Sequence, residues 1–220
     1  LKSGAESWVD ATPLSDEALA AKVRADRIDI LIDLAGHTKG SRPGILIRRP
    51  APIQGTFIGD AKTTGLPGVD FKFIDAITDP PGAESAYTER LIRLDDCFLC
   101  YHPHDEMPEP QLPARPASEG ITFASFNVSE KIGPAVIDLW SRILHEVPAS
   151  TLLLKATAFG YELTRRIYRD RFTARGIDPA RIRFAPHTLF VREHYAQYHT
   201  VDIALDPFPY NGTTTTCDAL

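Results

Sequence analysis

Polar and charged side chains follow three of the predicted strands, at the point where each strand ends. In the first segment, Ser125-Phe126-Asn127, the strand leads to an asparagine and then to Lys131 at the start of a predicted helix. A helix N-terminus carries partial positive charge, so a lysine there is favoured when an anionic ligand such as a phosphate shares the site. The spacing alone leaves open the alternative of an exposed lysine beside Glu130.

The second segment lies at residues 206–218 and reads DPFPYNGTTTTCD. Threonines that open a helix after an Asn-Gly turn supply hydroxyls and unpaired backbone N–H groups at the positive end of the helix. The more common alternative is a helix N-cap followed by additional threonines. The first interpretation predicts a phosphate cradle formed by Asn211, Gly212, Thr213, Thr214 and Thr215.

The third segment is Gly36-His37-Thr38-Lys39-Gly40, which follows the first predicted strand. A histidine in a loop is usually a solvated hydrogen-bonding group. Ligands of parallel α/β sheets bind at the carboxyl ends of the strands, however, and His37 stands at such an end. We therefore interpret His37 as a candidate for proton transfer in a cleft.

Several other kinds of site lack support. The sequence contains no G-x-G-x-x-G after a strand, no G-x-x-x-x-G-K-[ST] and no G-x-S-x-G, so dehydrogenase, P-loop and hydrolase interpretations lose their usual basis. The odd number of cysteines indicates no disulfide framework. Cys97 and Cys100 form a C-x-x-C without the second half of a zinc site, and Phe98 and Leu99 resemble strand interior. We therefore expect packed thiols and no metal.

The composition is that of a soluble globular protein. The chain has 220 residues, 43% of them hydrophobic, with 24 Lys and Arg against 29 Asp and Glu. No block of basic residues suggests nucleic acid or an anionic membrane as a partner, and no apolar run is long enough to span a bilayer. We therefore predict a cytoplasmic protein. A start without Met and a stop within a predicted helix predict a fragment cut at both ends.

Hydrophobic periodicity predicts the elements that must position these segments. In residues 1–102 it predicts a helix at 15–25, a strand at 28–34, a short helix at 45–49, and strands at 53–59 and 71–77. Prolines concentrate in residues 103–118, which we interpret as a linker. In residues 119–220 the pattern predicts strands at 121–126, 151–154, 181–184 and 202–205, with helices at 132–147, 161–175 and 192–199 between them. Repeated βα units predict doubly wound parallel sheets.

Four motifs in order resemble the catalytic region of the O-linked N-acetylglucosamine transferase family, which includes the SPINDLY-type proteins. They are LIDLAGHT at 31–38, RPAPIQ at 49–54, SFN at 125–127 with Lys131, and LD at 205–206 with NGTT at 211–214 and Asp218. The resemblance covers nearly the whole chain. It implies an α/β fold of the GT-B type with two Rossmann-like lobes. Residues 1–102 would be part of the acceptor-side lobe, and residues 119–220 the first part of the nucleotide-sugar-binding lobe.

The resemblance also implies an enzymatic activity. Members transfer a sugar from a nucleotide diphosphate to Ser or Thr hydroxyls of proteins, with inversion and without a metal or other cofactor, usually behind tetratricopeptide repeats. The expected donor is UDP-GlcNAc. By resemblance, Lys131 would stabilise the leaving diphosphate and His37 would be a candidate base. The resemblance further implies a donor site in which Thr214 and Thr215 hold phosphate oxygens, Asp218 the ribose and His194 the nucleoside, with Asn127, Asn211, Gly212 and Thr213 beside them.

Two departures from the family pattern keep alternatives open. Gly59-Asp60-Ala61-Lys62-Thr63 replaces a Gly-Tyr-Pro-Gly-Thr run, and Val128 stands where animal enzymes have a glutamine. The nearest alternative is a protein O-fucosyltransferase that uses GDP-fucose. Another is a member without activity that binds a nucleotide or acts as a scaffold.

Overall fold

The computed structural model describes residues 2–109, 111 and 120–220. The chain divides into two compact units, Leu1–Cys100 and Tyr101–Leu220. Each unit contains a four-stranded sheet in which all pairs of strands are parallel. Much of the predicted linker, residues 110 and 112–118, lies outside the described residues. The boundaries 1–102, 103–118 and 119–220 therefore stay a prediction.

The first unit has a sheet with strands in sequence order. Ser15 caps the first helix, because its hydroxyl accepts a hydrogen bond from the backbone N–H of Ala18 at 3.1 Å, as the predicted helix start requires. Strand pairing is β1-β2-β3-β4, so the predicted parallel sheet is confirmed. The elements are α1 (Asp16–Ala25), β1 (Ile30–Asp33), α2 (Pro43–Ile47), β2 (Ile53–Thr56), β3 (Phe71–Asp75) and β4 (Arg90–Leu94), with 3-10 turns at Lys2–Gly4 and Ala83–Ala86.

The region around the C-x-x-C motif differs from the prediction. The last strand of the sheet is Arg90–Leu94, and Phe98 and Leu99 lie in a loop after it. The backbone N–H of Phe98 donates to the buried carboxylate of Asp75 at 3.0 Å instead of joining a strand ladder. Cys97 and Cys100 are both exposed free thiols, so the prediction of packed thiols is wrong.

The second unit confirms the predicted order of strands and helices. Its sheet runs β7-β6-β5-β8. The predicted helix at 192–199 ends early, at Ala196, and continues as a 3-10 turn. The elements are β5 (Thr122–Ser125), α3 (Pro134–Glu146), β6 (Thr151–Lys155), α4 (Glu162–Thr173), β7 (Ile182–Ala185), α5 (Val191–Ala196), β8 (Ile203–Ala204) and α6 (Thr214–Cys217), with 3-10 turns at Ser129–Lys131, Thr157–Gly160, Pro179–Arg181 and Tyr198–Thr200.

The core of the second unit forms between α3, α4 and the sheet. Proline is tolerated at the first position of α3, because a backbone N–H at this position would have no partner within the helix. The buried face of α3 repeats at helical spacing and consists of Val136, Ile137, Trp140, Ser141 and Leu144. Strand β5 is central and pairs with β8 through Ala124 and Ala204. The segments that follow these two strands therefore meet at one edge of the sheet.

Arg181 ties the end of α3 to the sheet. Its guanidinium donates to the carbonyl oxygens of Ser150 at 2.7 Å, Leu144 at 2.7 Å and Val147 at 3.0 Å, and to the Ser150 hydroxyl at 3.0 Å. A cation at a helix C-terminus also interacts favourably with the helix dipole.

We expect Arg181→Ala to lower the local unfolding free energy of α3 and β6 by about 2 kcal/mol, because carbonyl groups lose charged donors. Hydrogen exchange of these amides in the full-length protein measures the change. Arg183→Ala is the matched control, since Arg183 is exposed on β7, two residues further along the chain. Equal exchange in the two variants would contradict the capping role.

Candidate functional site

Asp206 joins the two polar segments of the second unit. It follows β8, and its Oδ1 accepts hydrogen bonds from the backbone N–H of Gly212 at 2.7 Å and from the side-chain amide of Asn127 at 3.2 Å. Its Oδ2 accepts from the Thr216 hydroxyl at 3.2 Å. The segments at 125–131 and 206–218 therefore form one cluster. Sequence reasoning did not assign Asp206 to the site, although its position after a strand was a usable signal.

The threonines divide into two pairs. Thr215 donates its hydroxyl to Asn127 Oδ1 at 3.3 Å, and Thr216 is bonded to Asp206. Thr213 and Thr214 are exposed, and Thr213 makes no side-chain capping bond to the helix. The prediction that the threonines open a helix is confirmed, and α6 extends over four residues. The hydroxyls that face solvent are those of the first pair.

Gly212 is required where the turn approaches this cluster. A Cβ atom at this position would lie 2.5 Å from Thr216 Oγ1, 2.7 Å from Thr215 Oγ1 and 2.9 Å from Asp206 Oδ1. Asn211 orders the same turn, because its side-chain amide donates to the carbonyl of Pro207 at 3.1 Å. The conformation of the turn is therefore set by contacts among residues of the same segment, 206–216.

Lys131 reaches this turn from the other segment. It ends the 3-10 turn before α3, and its ammonium donates to the carbonyl of Asn211 at 2.6 Å and lies 4.2 Å from the ring centroid of Tyr210. Lys131 is partly buried and its ammonium contacts Asn211, whereas Glu130 accepts from the Ser129 hydroxyl at 3.0 Å. Burial lowers the pKa of Lys131 below its usual value, and the negative charge of Asp206 partly opposes this shift.

A cavity opens beside Lys131 within the second unit. It has a volume of about 430 Å³ and a largely apolar lining that includes Val128, Pro134, Phe208 and Tyr210. Its size suits a ring-sized group next to an anion held by the ammonium. Among the described residues, no group of three or more His, Cys, Asp and Glu side chains could hold a metal ion.

Asp218 and His194 both contact Tyr195. Asp218 Oδ1 accepts from the hydroxyl of Tyr101 at 2.7 Å and from that of Tyr195 at 3.3 Å. The His194 ring lies 5.2 Å from the Tyr195 ring between centroids. Burial and the hydrogen bond to Asp218 raise the pKa of Tyr101. One oxygen of the predicted ribose-binding carboxylate is therefore already bonded within the protein.

His194 has a basic partner that sequence reasoning missed. The ammonium of Lys155, at the end of β6, lies 2.6 Å from His194 Nδ1. The pKa of His194 is lowered, chiefly by burial and then by the charge of Lys155. The only signal in the sequence was a lysine at the end of an otherwise aliphatic strand.

His37 belongs to the first unit. Asp33 ends β1 by accepting from the backbone N–H groups of Ala35 at 3.2 Å and Gly36 at 2.7 Å. His37 is exposed, and its Nε2 lies 2.9 Å from the carbonyl oxygen of Thr63. Because a carbonyl only accepts, Nε2 carries the proton and Nδ1 of the neutral ring is left to accept one.

A buried carboxylate orders the loop that contacts His37. Glu89 accepts from the Thr63 hydroxyl at 2.7 Å and from the backbone N–H of Thr64 at 2.6 Å. The Thr64 hydroxyl also donates to Glu89. The end of the segment 59–63, which departs from the family pattern, is thus bonded to the Glu89 carboxylate.

Each unit has a parallel α/β sheet, and the second carries a lysine and a threonine turn at its strand ends, as the resemblance to a glycosyltransferase family predicts. Residues 1–115 and 111–220 match the family described as Glycosyl transferase family 41. The chain belongs to this family, and the predicted resemblance is confirmed.

A solved structure is similar over almost the whole chain. A variant of Thermobaculum terrenum O-GlcNAc transferase superposes with a TM-score of 0.87 at 36% identity, over 98% of this chain and 40% of that one. The predicted GT-B fold class with Rossmann-like units is therefore confirmed.

Curated relatives carry related names. The probable UDP-N-acetylglucosamine–peptide N-acetylglucosaminyltransferase SPINDLY of Arabidopsis thaliana is 42% identical over 97% of this chain. The probable transferase SEC of the same plant is 32% identical over the full chain. The chain spans 23% of the length of each of these relatives. None of the helices described for this chain is long and apolar enough to cross a membrane.

Proposed function

We propose that this chain is part of a protein O-GlcNAc transferase, a glycosyltransferase that moves GlcNAc from UDP-GlcNAc to Ser or Thr hydroxyls of an acceptor protein. The observation that carries the proposal is the half-buried Lys131 ammonium, held over the turn at 211–216 beside an apolar cavity. The names of the SPINDLY and SEC relatives support UDP-GlcNAc as the donor and do not favour the GDP-fucose alternative.

The reaction exchanges one bond for another at the anomeric carbon. The acceptor hydroxyl oxygen forms a bond to the anomeric carbon. At the same time the bond between this carbon and the β-phosphate oxygen breaks, and UDP leaves with the electron pair. Attack on the face opposite to UDP inverts the configuration. Negative charge develops on the diphosphate, so a fixed cation next to it lowers the barrier.

Lys131 is the group that we assign to the diphosphate. Its ammonium already donates to a backbone carbonyl, and a phosphate oxygen is a stronger, charged acceptor at the same place. Asn127, Thr214 and Thr215 would complete the phosphate site. Asp218 would bind ribose through the carboxylate oxygen that does not bond to the tyrosines.

His37 is our candidate for the base that takes the acceptor proton. Its Nδ1 is the atom able to do so, because Nε2 is bonded to Thr63. Lys131 would perform the charge stabilisation for which other transferases use a metal, and we propose transfer without metal. We also propose tetratricopeptide repeats in the full-length chain and a cytoplasmic location.

The test is a calorimetric titration of the full-length protein with UDP and with GDP, each in the presence of EDTA. We expect UDP to bind and GDP to bind at least about tenfold more weakly, which is a difference of about 1.4 kcal/mol. Adding magnesium in place of EDTA is expected to leave the UDP affinity unchanged.

Three other outcomes of the titration would contradict parts of the proposal. Preference for GDP would favour a fucosyltransferase. Binding of neither nucleotide would overturn the proposal and favour a scaffold. A requirement for magnesium would overturn the metal-free assignment of Lys131.

A further inference from the structure

A buried lysine, Lys155, ends strand β6 and takes no part in the transfer step proposed above. Lys155 is 3% exposed, and its ammonium lies 2.6 Å from His194 Nδ1 and donates to the Thr188 hydroxyl at 3.2 Å. It also lies 5.7 Å from the ring centroid of Phe126. Among the described residues, no carboxylate lies within ion-pair distance of it. Burial of a charged group without an ionic partner costs several kcal/mol, so this arrangement is costly for the fold.

The contact determines where the His194 proton resides. An ammonium group has only donors, so the Nδ1 atom that faces it must accept. The neutral ring then carries its proton on Nε2. A proton on Nδ1 would place two donors against each other and would bring two positive charges together. Lys155 therefore disfavours both the other tautomer and the charged form of His194.

The surroundings hold the ring in one orientation. The Phe126 and Tyr198 rings meet the imidazole edge to face, with centroids 5.8 and 5.7 Å away. No hydrogen bond of Nε2 is formed with the described part of the chain. The charged and titratable groups that act on His194 or on its lysine partner are Lys155 from β6, His187 from the loop after β7, Glu193 and Tyr195 from α5, Tyr198, and Asp218 after α6.

We propose that Lys155 is a positioning residue of the donor site, which fixes His194 as a neutral imidazole with an N–H at Nε2 for the nucleoside half of the donor. An oriented N–H recognises an acceptor, such as a base carbonyl or a ribose oxygen. The assignment of the nucleoside rests on the proposed function. The coupling between Lys155 and His194 does not rest on it.

The first experiment reads this coupling without any nucleotide. Histidine-labelled full-length protein is titrated by NMR, and loss of a signal in His194→Gln identifies the resonance. We expect the Nε2–H tautomer and a midpoint below the ordinary value of 6.5. In Lys155→Met the midpoint should rise by about one pH unit, because the ammonium is gone. The rise has this sign because removing a nearby positive charge favours the charged imidazole.

The controls separate the contact from general effects. Arg142→Met removes a charge from an exposed position of α3 and should leave the midpoint unchanged. Methionine matches lysine in shape and removes a buried charge, so the variant is expected to fold. If it does not fold, Lys155→Arg is still informative, because a guanidinium also only donates and should keep the Nε2–H tautomer. An unchanged tautomer and midpoint in Lys155→Met, or a protonated Nδ1 in Lys155→Arg, would overturn the coupling.

The second experiment tests the role in donor binding. In Lys155→Met we expect KM for UDP-GlcNAc to rise about tenfold with kcat within about twofold, because the residue orders the nucleoside site and not the reacting atoms. Lys155→Arg should restore part of the affinity. An unchanged KM together with a changed tautomer would overturn the positioning role. Failure of the wild type to bind UDP would overturn the proposed function and leave the NMR result standing.

Discussion

Lys131→Met is expected to lower kcat for GlcNAc transfer by about 100- to 1,000-fold, the usual effect of removing one donor from a site where negative charge develops. The ammonium is half-buried, so solvent screens it less than it would screen a surface lysine. The affinity for UDP should fall as well, by about tenfold, because the diphosphate is charged before transfer begins. Steady-state kinetics and calorimetry on the full-length protein measure both quantities.

Two variants serve as controls for Lys131→Met. Arg142→Met removes one positive charge from an exposed position of α3 and should keep full activity. Lys131→Arg keeps the charge and should recover part of the rate, since its larger planar group fits the turn less well. Transfer by Lys131→Met at the rate of the wild type would refute the assigned role of this ammonium.

Gly212→Ala has the second large expected effect, a loss of UDP affinity of about tenfold or more. The added Cβ would meet the hydroxyls of Thr215 and Thr216 at 2.7 and 2.5 Å. Threonine is branched at Cβ and has few alternative rotamers, so the turn or α6 must move. The overall stability should change little, because the turn lies outside the core around Trp140.

Gly160→Ala is the matched control for the turn. Among the described residues, a Cβ there would have one close neighbour, Pro186, at an ordinary 3.8 Å. We expect the control to bind UDP like the wild type. Equal affinities for Gly212→Ala and the wild type would mean that the threonine turn does not bind the phosphates. Thermal unfolding of both variants checks that they fold.

Local patterns in the sequence determined most of the elements. The aliphatic runs that became β1, β2, β3, β5 and β6 were recognisable, as was the amphipathic helix from Pro134. Their alternation implied parallel sheets, because a strand, a helix and a second strand in succession pair in parallel. The strand Arg90–Leu94 was missed, since its arginines interrupt the apolar pattern.

The contacts made by loop residues were harder to predict from the sequence. Cys97 and Cys100 were expected to be packed, yet both are exposed, because the backbone after β4 bonds to the Asp75 carboxylate. Such side-chain to backbone bonds depend on which distant strand end lies nearby. The residue types alone do not contain that information.

The sequence by itself determined which residue types stand at the strand ends: the lysine at 131, the threonines after Gly212 and the histidine at 37. Only the tertiary structure decided what these groups contact. The order β7-β6-β5-β8 brings Asn127 to Asp206, 79 residues away, and Lys155 to His194, 39 residues away. Strand order depends on the packing of the whole sheet, and so the partners that set charge, tautomer and turn geometry at this site arise from the fold.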